Sequence, residues 1–191
     1  MKPTATREFI SLTEMLRFYS DADEIIYSSQ FPLEESEIAE ACRHARRLAH
    51  RLQQHHGENS AEKIALGLGC AVQCEAWETA DNKVIYLAEC SLQTNTHGAT
   101  IRINTHAVKL LADFQRSWTN ASEQEFFTEA KITEVVIAHE LFHLVEQRTP
   151  STRLELEAHA FARAFTLLPF SPLLYNTLLQ QLATGRTVRL L

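Results

Sequence analysis

The sequence predicts an α+β fold: a small antiparallel or mixed three-stranded sheet packed against a layer of helices. Three observations lead to it. A long amphipathic helical pattern fills residues 34–56. Three short strand-like pieces lie between 69 and 104. From Ser122 onward, capping signals and apolar runs of helical period are closed by Pro150 and Pro169.

Within residues 1–33, "SLTEMLRFYSDADEIIY" begins with a short helix and Pro32 closes the segment. In "EESEIAEACRHARRLAHRLQQHH" (34–56), Ile38, Ala41, Ala45, Leu48 and Leu52 recur on one helical face. Acidic side chains crowd its start and basic ones its end, which suits the helix dipole, and Gly57 ends it. The strand-like pieces are "GCAVQCEAW" (69–77), "NKVIYLAEC" (82–90) and "GATIRIN" (98–104), with "ADN" (80–82) as a turn and "TNTHG" (94–98) bounding the third. Helical pattern resumes at "THAVKLLADFQRSW" (105–118). Ser122 with Glu125 forms a capping-box signature, from which a helix is expected to run to about Gln147. Thr152 with Glu155 forms a second one, opening "RLELEAHAFARAFTLL", and one more amphipathic helix follows at about 171–185. No repeat, low-complexity tract or clear linker breaks the chain, so residues 1–191 are expected to form one domain, with a helical N-terminal part to about residue 60.

Composition narrows the function classes. Hydrophobic residues make up 45% of the chain, enough to build a core, and charged residues 22%, too few for a disordered class. A net charge of −6 disfavours a general nucleic-acid-binding surface, and the basic run at 42–56 reads as a solvated helix face. Cys42, Cys70, Cys74 and Cys90 form no C-x-x-C pair and read as reduced, buried thiols. The N-terminus has no continuous apolar signal region, and the longest apolar run, "IALGLGCAV", is too short to span a bilayer. The expected location is the cytoplasm, away from membranes.

The chemistry concentrates in "VVIAHELFHLVEQ", where His139, Glu140 and His143 stand in the order H-E-x-x-H. Residues four apart share a helical face, so both imidazoles can point at one ion. A catalytic zinc site takes three protein ligands and leaves one position open. Glu140, adjacent to His139, overlooks that position without needing to ligate and can carry a proton from water to a leaving amine. The apolar flanks predict a buried helix, where an unpartnered Glu140 would be costly.

For the third ligand, the pattern H-E-x-x-H-x-x-G-x-x-H fails, because Glu146 and Thr149 occupy the Gly and His places. The segment "RLELEAHAFA" offers Glu155, Glu157 and His159. Glu155 is the first choice. Its competing reading is a capping acid for Thr152, and that of Glu157 is a solvent-facing charge. Glu155 and His159 share a face, so one can ligate while the other supports it, and His159 stays open as a ligand. His97, His106, Tyr86 and Tyr175 are candidate oxyanion donors, with ordinary surface or core packing as the favoured reading of each.

"AHELFHLV" followed by "ELEAHAFARAFTLLP" resembles the ImmA/IrrE-like metallopeptidases, which are compact gluzincins. Glu155, Ala158, Phe161, Ala162 and Pro169 fit the second motif, and "GATIRIN" resembles the strand before the active-site helices. The likeness covers roughly 64–169. It departs at His159, where the wider pattern often has Asp or Asn, and at Phe142, where many relatives carry Gly. The resemblance implies a zincin-like fold, one Zn2+ per chain, and hydrolysis of peptide bonds in a protein or peptide substrate such as a regulatory protein, added as a strand to a sheet edge. The alternative is a non-catalytic zinc-binding interaction module.

Overall fold

In the computed structural model, which describes residues 12–57, 60–77, 85–92, 98–116 and 121–183, the chain is α+β. The helices are α1 (Leu12–Tyr19), α2 (Asp23–Gln30), α3 (Glu35–His56), α4 (Ala61–Gly67), α5 (Thr105–Arg116), α6 (Glu129–Glu146), α7 (Thr152–Thr166) and α8 (Leu173–Ala183). The strands are β1 (Ala71–Glu75), β2 (Ala88–Ser91) and β3 (Thr100–Asn104). They form a mixed sheet of order β1-β3-β2, with β1 parallel and β2 antiparallel to the central β3.

The long helix α3 matches the expected pattern. Glu34 and Glu37 form its capping box, Gly57 closes it at φ 60°, and Ile38, Ala41, Ala45 and Leu48 are buried. Arg43, Arg46, Arg47 and Arg51 are exposed, as a solvated face should be. The strands are shorter than the sequence patterns. Gly69, at φ 78°, ends the turn before β1, and residues 85–87 precede β2 without joining the ladder. Asn104 uses its backbone N–H to reach Leu87 O at 2.8 Å and its side-chain amide to reach Tyr86 O at 3.1 Å, which pins that irregular segment to the end of β3. The expected turn at 80–82 lies outside the described residues, as do most of 94–98. Of the four free thiols, Cys42 and Cys70 are buried, Cys90 is half-buried and Cys74 is exposed, so burial does not extend to all four.

Two helix starts differ from expectation. Residues Ala121–Phe127 form a 3-10 turn, and the N-cap of α6 is Thr128, whose Oγ1 accepts the N–H of Lys131. Tertiary packing decides this: Phe127 sits between Phe170 and Tyr175, and the Tyr175 hydroxyl donates to Phe126 O, which turns the chain before the helix can start. At α7 the cap is Ser151, accepting from Leu154 N–H at 3.1 Å, one residue before the expected Thr152. Glu155 is thereby released from capping. Helix α4 has no counterpart among the sequence expectations, although Ser60, its N-cap, accepts from Lys63 N–H.

Helix α6 occupies the centre. It touches α4, α5, α7, β2 and β3, and so buries Ile132, Val135, Ile137, Leu141, Phe142 and Leu144 around most of its circumference. Phe142, where a glycine is common in the resembled family, is fully buried and meets the Phe161 ring at 5.5 Å. Burial of such a side chain stabilises by about 1.5–3 kcal/mol. Helix α7 lies between α6 and α3. Its Arg163 donates to Asp21 O at 2.8 Å, Ser20 O at 3.2 Å and Pro169 O at 2.8 Å, and pairs with buried Asp23 at 2.8 Å, tying the α1–α2 turn to the end of α7. Among the described residues, no helix is long and apolar enough to cross a membrane.

Candidate metal centre

Helical spacing puts His139 and His143 on one face of α6, and the antiparallel return of the chain through Gln147–Ser151 brings the first turn of α7 against that face. The turn is tight because Gln147 takes a left-handed conformation, φ 45°, at the C-cap of α6. Glu155 then meets both imidazoles.

The donor atoms converge. His139 Nε2 and His143 Nε2 are 3.2 Å apart, and each lies 3.5 Å from an oxygen of Glu155. A tetrahedral ion with bonds of about 2.0–2.1 Å requires ligand atoms about 3.3–3.4 Å from one another. The spacing therefore suits a small divalent ion, and two imidazoles with a carboxylate suit zinc and its first-row neighbours. Among the described residues, His139, His143 and Glu155 make the one group of three or more such side chains whose donor atoms all lie within 4.8 Å of each other.

The trio lies in a cleft of about 550 Å3. Its walls include Tyr86, Glu89 and Cys90 from the β2 side and Tyr175 and Asn176 from α8, and Glu140 also lines it. Glu140 is 8% exposed. Burial raises its pKa; His139 opposes the rise, and the charges of Glu155 and Glu89 add to it. Burial disfavours the charged form of His139, yet its hydrogen bond to Glu155 and the nearby charges of Glu140 and Glu155 prevail and its pKa rises. His143 is lowered to about 4 by burial and by the charge of His139, against the pull of Glu155. The hydrogen bond from His139 lowers Glu155, overcoming its partial burial, with both histidine charges adding to the effect. Without an ion, Glu155 thus favours the protonated form of His139, while burial and the charge of His139 favour the neutral form of His143. Metal uptake needs both imidazoles neutral at the ligating nitrogen.

His159 is buried, its ring 4.6 Å from that of His139, and its Nδ1 has no hydrogen-bond partner among the described residues. Burial and the charges of His139 and His143 hold its pKa well below the usual value. It stands beside His139 but outside the converging trio. Glu157 is different from its expected reading. It does not face solvent: its side chain is 1% exposed and its two oxygens are bound by Arg148 and Arg153. Two residues turn a helix by about 200°, so Glu157 faces away from the side that carries Glu155.

Of the other candidates, His106 is exposed and His97 lies outside the described residues. Tyr86 is exposed on the cleft wall, while the Tyr175 hydroxyl is committed to Phe126 O. Cys90, which sequence reading passed over as a site residue, lines the cleft; burial first, then Glu140 and Cys70, push its thiol up to about 12. Arg148 also reaches the cleft and was missed. The Arg153–Glu157 spacing of four was the readable hint to its charge partner. No protein-family model matches the chain, and no significant match is found among curated proteins or solved structures.

Proposed function

We propose that the chain is a zinc-dependent peptidase with a zincin-like active-site layout, in which His139, His143 and Glu155 hold one Zn2+ and Glu140 moves the proton. The observation that carries this reading is the set of donor separations, 3.2, 3.5 and 3.5 Å, at a cleft that also holds a buried carboxylate. The resemblance to ImmA/IrrE-like metallopeptidases supports it through the residues quoted for it.

A bound zinc ion would supply a Lewis acid for the substrate carbonyl and lower the pKa of water from ~15.7 toward ~7. The chain's own residues do the rest. Glu140, whose proton affinity is raised by burial, takes a proton from the attacking water and returns it to the departing amine. β2 is an edge strand in the order β1-β3-β2 and borders the cleft, so an extended segment of a protein substrate can pair with it through backbone hydrogen bonds. Free thiols suit the reducing cytoplasm as the place of action.

Metal analysis of the purified wild type, with cleavage of a mixed peptide library, tests the reading. About one zinc per chain is expected. Glu140→Gln should keep the zinc and lose about 10²–10⁴ in rate. A fully folded wild type that takes up no zinc overturns the metal site, and a zinc-loaded wild type that cleaves nothing points to the interaction module instead.

A further inference from the structure

Around the far side of α7 runs a closed circuit of ion pairs and hydrogen bonds. His44 Nε2 on α3 meets Glu146 Oε1 on α6 at 3.2 Å. The other oxygen of Glu146 pairs with Arg148 Nε at 2.9 Å, in the α6–α7 turn. Arg148 reaches Glu157 on α7, which also receives Arg153 Nε at 3.1 Å. Arg153 Nη2 then returns to Glu40 on α3 at 3.2 Å. Glu40 and His44 are four residues apart on one face of the longest helix, so the circuit starts and ends on a rigid base.

We propose that Glu157 is a positioning residue for the metal centre: it locks the last turn of α6 and the first turn of α7 to α3, and so fixes the rotation at which Glu155 faces His139 and His143. This rests on the metal site assigned above. The leverage is geometric. A side-chain atom lies about 5–6 Å from the helix axis, so a rotation of ~20° carries the Glu155 carboxylate by about 2 Å, the length of one zinc–oxygen bond. Only Glu157 is fully buried in the circuit; Glu40 and the two arginines reach solvent. It is therefore the member that cannot move aside without a cost. With both oxygens engaged, it is also kept from competing as a ligand.

The test compares Glu157→Gln with Ile26→Ala, which removes buried side chain on α2, outside the circuit. Zinc affinity is measured by competition with a chromophoric chelator, and the imidazole 15N signals of His139 and His143 are recorded in metal-free protein. Glu157→Gln should weaken zinc binding about 10–100-fold and shift both imidazole signals. Ile26→Ala should do neither, although it lowers the melting temperature. Equal weakening in both variants, or unchanged affinity and signals in Glu157→Gln, overturns the proposal. If the wild type binds no zinc, the metal assignment fails, and the imidazole signals still decide the positioning role: a shift in Glu157→Gln alone supports it, no shift overturns it. Should Glu157→Gln fail to fold, Arg153→Ala cuts the half-exposed arm of the circuit and carries the same two readouts, with a smaller weakening of about 3–10-fold expected.

Discussion

Glu155 and Glu157 have one residue between them on α7 and opposite surroundings. The Glu155 side chain is 48% exposed at the cleft and faces two imidazoles that need not be charged. The Glu157 side chain is 1% exposed and faces two guanidiniums that always are. One carboxylate has permanent counter-charges, and the other has surroundings that a divalent ion would complete. A buried charge persists where its partners are permanent; a ligand must stay accessible to what it binds.

The largest expected effect comes from breaking the exposed side of that comparison. Glu155→Ala should abolish zinc uptake at concentrations that saturate the wild type. The zinc-induced stabilisation, about 4 kcal/mol at a thousandfold excess over Kd, should vanish with it, as read by thermal melts with zinc and with chelator. The metal-free melting temperature should fall less than in Glu157→Ala, because half-exposed Glu155 loses only its contacts to two imidazoles, whereas buried Glu157 loses two guanidinium partners. If metal-free Glu155→Ala were strongly destabilised, the contrast with Glu157 would collapse.

Asp23 sharpens the comparison from the buried side. Like Glu157 it is buried beside two arginines, Arg163 at 2.8 Å and Arg46 at 3.6 Å. Burial nevertheless outweighs them, and its pKa is raised above 3.8. A carboxyl group whose folded pKa is raised contributes stability that is fully present below its unfolded pKa and lost as pH rises through the folded value. The melting temperature of Asp23→Asn relative to wild type should therefore improve as pH climbs from about 4 to 7, by on the order of a few degrees. A relative melting temperature that falls over that range would show that the guanidiniums win.

The smallest effect belongs to the remote end of α7. Leu167 caps that helix at φ 53° and is 83% exposed, so it holds a left-handed backbone with no packing in return. Leu167→Gly should stabilise by about 1 kcal/mol in denaturant titration and leave zinc affinity unchanged. A change in zinc affinity would mean that the two ends of α7 are mechanically coupled.

Much of this architecture was legible in advance. Apolar spacing marked α3, and the run through "VVIAHELFHLV" marked α6 as a buried helix, because periodicity and hydropathy are local properties. Strand limits were less legible: β1 and β2 are short and largely exposed, so alternation extends past the hydrogen-bonded ladder. The start of α6 was misread at Ser122 because capping signals are frequent, and the contacts of Phe127 and Tyr175 choose Thr128 among them.

The sequence by itself determined that His139 and His143 share a face with Glu140 beside it, and that Glu155 and Glu157 point in different directions, since 3.6 residues per turn leaves no other choice. Only the tertiary structure decided which of those two directions meets α6 and which meets α3. That choice depends on how three helices pack and how their charges close around Glu157, relations between segments far apart in the chain that no local pattern encodes.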